Sequence, residues 1–199
     1  MKRILVAYST NAGSTAEVAE AVRKNLEGPQ VEVQILPIEQ VRDLNGYTGV
    51  VLGGPMIVGW HRRAARFFRA RRRELARVPV ALFFTALRVT RDRGDGGTRR
   101  DPDFPVLLDP RLLAEPARPG RLSFKERQTT VASYLHPVRA AIALARPVSA
   151  AFFAGKLDYG KLPFLHMLFV MLIIGARPGD SRDWELIASW ARGLRKEMA

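Results

Sequence analysis

The 199-residue sequence contains no cysteine. Disulfides, thiolate metal sites and cysteine nucleophiles are therefore excluded, and any redox chemistry must come from a bound cofactor. Acidic residues are scarce beside basic ones, 19 against 32, giving a formal net charge of +13. That imbalance implies an anionic partner, whether nucleic acid, an anionic membrane surface, or an acidic protein or substrate. Long hydrophobic runs are missing as well. Residues 162–175 are strongly apolar except at Pro163, His166 and Gly175, but about 18 to 20 residues are needed to cross a bilayer. The stretch reads as a buried helix, or as one lying in the membrane interface beside Lys156, Lys161 and Arg177. His166 has no second ligand at metal spacing and reads as a packed helix residue. Behind the N-terminal basic pair the apolar run covers only residues 4–8, too short for a signal-peptide core. The expectation is a cytoplasmic protein, with peripheral attachment to the inner face of the cell membrane as an open alternative.

Two common phosphate loops are also missing. No GxxxxGK[ST] supplies the lysine of an NTPase, and no GxGxxG marks a dinucleotide site. What stands at the N-terminus is a short apolar run, residues 3–8, of the kind buried on both faces of a parallel sheet. It leads into Ser9-Thr10-Asn11-Ala12-Gly13-Ser14-Thr15. Small hydroxyl residues around one glycine let the backbone turn tightly and aim several N–H groups at one point, the chemistry of an anion nest. Ser14-Thr15-Ala16-Glu17 fits a capping box, with Ser14 as N-cap, and Val18, Ala19, Val22 and Leu26 follow at helical spacing. The positive end of this helix points at whatever the loop holds. An ordinary strand-to-helix loop is the alternative.

Residues 31–36 alternate as a strand with one less-buried face. Residues 38–44 suit a short helix, and residues 49–53 a third strand. This alternation argues for a doubly wound parallel sheet with ligands at the carboxyl ends of its strands. Gly53-Gly54-Pro55-Met56-Ile57-Val58-Gly59-Trp60-His61 follows the third strand. Its glycines permit close backbone approach to a planar ligand, and Met56, Ile57 and Trp60 offer apolar surface for stacking, unless Trp60 simply packs on the next helix. Residues 62–77 form a helix carrying eight arginines, either a solvated face or a patch for phosphate-bearing surfaces. Nucleic acid ranks below membrane, since no recognition motif accompanies the arginines. Residues 78–85 make a fourth strand, and Thr85-Ala86-Leu87-Arg88 opens a loop at the same sheet edge.

Residues 89–120 shift to Gly, Pro, Asp and Arg without periodicity and read as a partly disordered insertion, extending to about residue 122. Asp92-Arg93-Gly94-Asp95-Gly96-Gly97 lacks the terminal glutamate of a calcium loop. Residues 123–145 are helical, bent or divided at Pro137, and residues 146–155 give a fifth strand. Asp180 or Ser181 caps a last helix whose stripe is Trp184, Ile187, Ala191, Leu194 and Met198. The chain suits one domain over residues 1–199.

The loop ending Gly13-Ser14-Thr15 resembles the phosphate loop of flavodoxins, whose ligand is the 5′-phosphate of FMN. The resemblance implies a five-stranded doubly wound sheet in the order 2-1-3-4-5, with helices on both faces. It further implies FMN contacts from residues 9–15, from Gly54, Pro55, Met56, Ile57, Val58, Gly59 and Trp60, and from Thr85, Ala86, Leu87 and Arg88. Residues 8–15, 52–61, 83–85, 153–159 and 179–185 together are similar to the FMN-containing, menaquinone-dependent protoporphyrinogen IX dehydrogenases. That likeness implies oxidation of a porphyrinogen-like molecule with electrons passed to a quinone, and Arg62, Arg63 or Arg88 as partners of propionates. An electron carrier and an FMN-less binding module are the alternatives. The sequence departs from the flavodoxin pattern at Ala12, where many members have a hydroxyl.

Overall fold

Strand β1 (Lys2–Tyr8) lies next to one edge of the sheet in the computed structural model, which describes residues 1–56, 60–91, 104–118, 121–157 and 179–198. It pairs in parallel with β2 (Val31–Pro37) on one side and β3 (Gly49–Pro55) on the other. Beyond β3 come β4 (Val80–Ala86), β8 (Ser149–Ala154) and β6 (Val106–Leu108), all parallel. The order is thus β2-β1-β3-β4-β8-β6. The first five are the expected strands in the expected order. The sixth is an addition, formed inside the stretch read as an unpatterned insertion. Its backbone pairs along β8, and Asp109 at its end donates its N–H to the Phe152 carbonyl at 2.9 Å. Two further short strands occur there, β5 (Val89–Thr90) and β7 (Leu113–Ala114), paired with each other. Residues 89–91 and 104–118 of the stretch read as a partly disordered insertion thus carry short strands. The calcium-like run at 92–97 and the apolar run at 162–175, with His166, lie outside the described residues.

Side chains alternate between the two faces with the period of two that strands impose. Ile4, Val6, Val51, Ala81, Phe83, Ala151 and Phe153 pack under α1 (Ser14–Leu26) and the C-terminal helix α7 (Trp184–Met198). Leu5, Ala7, Val50, Leu52, Leu82, Phe84, Ala150 and Phe152 belong to the opposite core, under α2 (Arg62–Ala70), α3 (Arg72–Leu75) and α6 (Arg139–Ala145). Strands buried on both faces read as continuous apolar runs, which is why they were legible.

Helix boundaries shift in several places. The arginine-rich segment breaks at Arg71 into α2 and α3. Residues 38–40 form only a 3₁₀ turn. Residues 123–145 divide into α4 (Phe124–Gln128), α5 (Val131–Leu135), a 3₁₀ turn at His136–Val138 and α6. Ser123 and Glu126 form a true capping box at the start of α4, and Thr130 caps α5. The C-terminal helix is capped by Asp183, whose Oδ1 accepts the Leu186 N–H at 3.1 Å, rather than by Asp180 or Ser181. Its buried stripe is Ile187, Trp190, Ala191, Leu194 and Met198, while Trp184 faces outward. Among the described residues no helix is long and apolar enough to cross a membrane.

Candidate functional site

Three loops leave the carboxyl ends of adjacent strands. Tyr8 lies opposite Gly53, and Pro55 opposite Thr85, so the chain departs β1, β3 and β4 at one edge of the sheet. The connection from β1 runs outward to β2, whereas β3 and β4 extend the other way. In sheets of this kind ligands bind where the order reverses, here between β1 and β3.

The first loop is held in shape by its own side chains. Gly13 sits in the left-handed region at φ 86°, a conformation that strains any other residue. Its N–H donates to Thr10 Oγ1 at 2.9 Å, and its carbonyl accepts the N–H groups of Ala16 and Glu17 at 3.0 and 3.3 Å. Helix α1 then begins at Ser14 with no side-chain cap. The capping box expected at Ser14 and Glu17 is not formed: Gly13 occupies the N-cap position, so Ser14 is already the first helical residue, and Glu17 pairs with Arg182 at 2.9 Å. An uncapped start leaves the Ser14 and Thr15 amides without a backbone partner among the described residues, at the positive end of the helix.

Thr15 is buried, and its hydroxyl bonds Thr85 Oγ1 at 2.9 Å, which ties the loop to the end of β4. Thr10 and Thr15 therefore set the shape of the loop. Ser9 does not: its hydroxyl is buried, at 3% residue exposure, with no hydrogen-bond partner. An unsatisfied buried polar group costs about 1–3 kcal/mol. Asn11 is exposed, and Ala12 and Ser14 are half-buried.

The second loop meets the first at Gly54. A Cβ there would stand 2.7 Å from Trp60 Nε1 and 3.0 Å from Ser9 Oγ. Trp60 is itself buried, edge-on to Phe68 and Phe84 at centroid distances of 5.7 and 5.1 Å, and its indole N–H has no partner. Its ring thus packs on the following helix and in the core; Met56 is buried in the same cluster. Neither presents the apolar stacking surface expected of it, because both side chains fall on the α2 face of the sheet. Pro55 is half-buried, and Ile57, Val58 and Gly59 lie outside the described residues. The His61 N–H closes the loop on the Pro55 carbonyl at 3.0 Å. Burial, reinforced by the Arg63 charge, pushes the His61 imidazole below its ordinary pKa, so its neutral form is favoured. Arg63 pairs with Glu39 at 2.9 Å, whereas Arg62 is exposed.

In the third loop Ala86 is buried, and Leu87 and Arg88 are half-buried. The Ala86 carbonyl accepts the Gly155 N–H at 2.9 Å, and the Arg88 carbonyl accepts the Tyr134 hydroxyl at 3.0 Å. Burial pushes that phenol up to about 12.

Two further groups had no role in the sequence reading. Asp109 is fully buried: one carboxylate oxygen accepts the Arg111 N–H at 2.9 Å, the other the Ala154 N–H at 3.0 Å. It fastens β6 to the end of β8. Arg182 grips Asp180 through two bonds, of 2.8 and 2.5 Å, and reaches Glu17 on α1. Its flanking acids, Asp180 and Asp183, are the one sequence signal that could have marked it.

These residues fit a phosphate monoester: a glycine-formed loop and open amides at a helix N-terminus. No curated protein matches the chain at a significant level. Among solved structures, one of a short-chain flavodoxin associated with a non-canonical PDU bacterial microcompartment is similar over 100% of both chains, with 15% identity and a TM-score of 0.53. The flavodiiron protein from Giardia intestinalis matches all of this chain with 36% of its own, at 10% identity and a TM-score of 0.51. Both likenesses concern the fold. A family model described as a flavodoxin domain matches residues 5–183, so the chain belongs to the flavodoxin-domain family, and FMN is the cofactor its site takes.

Proposed function

We propose that this flavodoxin-domain protein is an FMN-dependent oxidoreductase that oxidises protoporphyrinogen IX or a similar reduced substrate and passes the electrons to a quinone at the membrane. The observation that carries the flavin part is the uncapped start of α1, where the left-handed Gly13 turn leaves the Ser14 and Thr15 amides without a backbone partner among the described residues. Ser9, the Ser14 and Thr15 amides and the Gly13 turn would hold the phosphate. Gly54, Pro55 and the loop up to Trp60 would border the ring on one side, and Leu87 with Arg88 on the other. When bound, FMN supplies acceptance of a hydride equivalent and its return as electrons. The chain positions it and keeps charge of the right sign nearby.

Support for the porphyrinogen substrate comes from the sequence segments at 52–61, 153–159 and 179–185 and from exposed cations. Arg62 stands exposed at the start of α2, directly after the ring-bordering loop, where a guanidinium suits a propionate. The net charge of +13 favours an anionic substrate or surface, and soluble flavodoxin carriers are typically acidic. Anaerobic assay of porphyrinogen oxidation with a menaquinone analogue tests the enzyme reading. Turnover that depends on added FMN supports it, and FMN binding without turnover leaves an electron carrier. Flotation with liposomes tests the membrane part: binding should rise with anionic lipid content, and binding indifferent to it would contradict the role given to the arginines.

A further inference from the structure

We propose that Glu17 and Arg182 set the preference of this site for a phosphorylated flavin over the same flavin without phosphate. The proposal rests on the FMN reading above and deepens it. Glu17 lies in the first turn of α1, with its carboxylate half exposed. A phosphate on the Ser14 and Thr15 amides would sit within about one helical turn, roughly 5.4 Å of rise, of that carboxylate. Uncompensated, Glu17 opposes the dianion that the helix end attracts.

Arg182 supplies the compensation from far along the chain. Its Nη1 lies 2.9 Å from Glu17 Oε2 and donates to the Ser14 carbonyl at 3.3 Å. Nε and Nη2 hold both oxygens of Asp180, and the guanidinium lies over the Trp184 ring at 4.4 Å. Only 2% of its side chain is exposed. These bonds raise the Arg182 pKa and hold the Asp180 carboxyl below its usual range, with Lys156 adding to the latter. Arg182 and Lys156 thus balance Glu17 and Asp180, and the group is neutral beside the helix end. Removing Arg182 leaves it at minus one, whereas neutralising Glu17 leaves it at plus one. The anion's place in that reading is the open Ser14 and Thr15 amides, within one helical turn of Glu17. A plain anchor for the C-terminal segment would use the same contacts, but it would not distinguish ligands by charge.

The test uses the full chain stripped of flavin and titrated with FMN and with riboflavin by flavin fluorescence quenching, at low and high salt. Glu17→Gln, a half-exposed position, should tighten FMN about three- to tenfold at low salt, with riboflavin unchanged within about twofold. Arg182→Gln should weaken FMN about tenfold and spare riboflavin, and the double variant should return FMN to within about threefold of the parent. Arg182→Lys should retain most of the FMN preference. Equal changes for both ligands, or no change in FMN affinity in Glu17→Gln, would overturn the proposal; Glu17→Gln decides alone if Arg182→Gln fails to fold. A parent protein that binds both flavins equally refutes the phosphate preference but keeps the flavin reading. One that binds neither refutes both.

Discussion

Gly54→Ala perturbs a point where the two ligand-facing loops and helix α2 come together. The added Cβ would stand 2.7 Å from Trp60 Nε1, 3.0 Å from Ser9 Oγ and 3.1 Å from Ala64 Cβ, where ordinary contact begins at 3.4 Å. The indole must move by about 0.7 Å and the hydroxyl by about 0.4 Å, the differences between those values. Neither has much room. Trp60 is wedged between Phe68 and Phe84, and Ser9 is fixed by its N–H bond to the Gly53 carbonyl at 3.0 Å. Overpacking of this kind costs about 1–3 kcal/mol. On the proposed phosphate role of Ser9, its displacement would lose a hydrogen bond to a charged group, about 1.5–3 kcal/mol, or roughly 10- to 100-fold in affinity. Urea unfolding of the flavin-free protein reads the first quantity and FMN titration the second. Ser9→Ala separates them: it removes an unsatisfied hydroxyl, so the flavin-free protein should be as stable as the parent or more so, while FMN binding still weakens. Equal stability and equal FMN affinity in Gly54→Ala would show that Trp60 and Ser9 do not converge on that glycine.

At Gly53 the neighbour is an aromatic ring. An added Cβ would fall 1.9 Å from Phe83 Cζ, so Gly53→Ala should cost about 3 kcal/mol or more, with Phe83→Leu in the same chain recovering part of it; purely additive urea midpoints would refute the contact. Gly193 lies exposed within helix α7 with nothing within 4 Å of an added Cβ, and Gly193→Ala should raise stability by about 0.5–1 kcal/mol in the same assay. Bonds from the Ala117 and Ser123 backbone N–H groups, and from the Ser123 side chain, lower the Glu126 carboxyl from 4.5 to about 2. Because the folded-state value lies below the unfolded one, the contribution is complete above pH 4.5 and lost as pH falls towards 2. The difference in urea midpoint between the parent and Glu126→Gln should therefore be constant near neutrality and shrink across that window.

The sheet was legible because β1, β3, β4 and β8 are buried on both faces, and burial on both faces writes an unbroken apolar run. Strand β6 was not, since it spans three residues and lies half-buried at the edge beside Pro105. Its pairing with β8 is a long-range fact with no local signature. Cap chemistry misled in an instructive way. Ser14-x-x-Glu17 and Ser123-x-x-Glu126 are the same local pattern, yet only the second is a capping box. At the first, the left-handed Gly13 takes the N-cap position and makes Ser14 the first helical residue, and Glu17 is left to pair with Arg182, a contact that leaves no trace in a four-residue window. The loop residues 9–15 and 85–88 do gather at one edge, as strand order required. Which hydroxyls shape the loop and which one is left over depended on the Thr15–Thr85 bond and could not be read from composition. Trp60 went the other way from its expected stacking role because strand phase at Met56 and Trp60 directs both into the α2 core.

Titration of the purified, flavin-free protein with FMN, followed by flavin fluorescence and by thermal unfolding, tests the phosphate site most directly. Saturable binding should appear, with stabilisation of about 2.7 kcal/mol at one hundred times the dissociation constant, and with clear weakening in Ser9→Ala. Absence of any binding or thermal shift in the parent protein would contradict it.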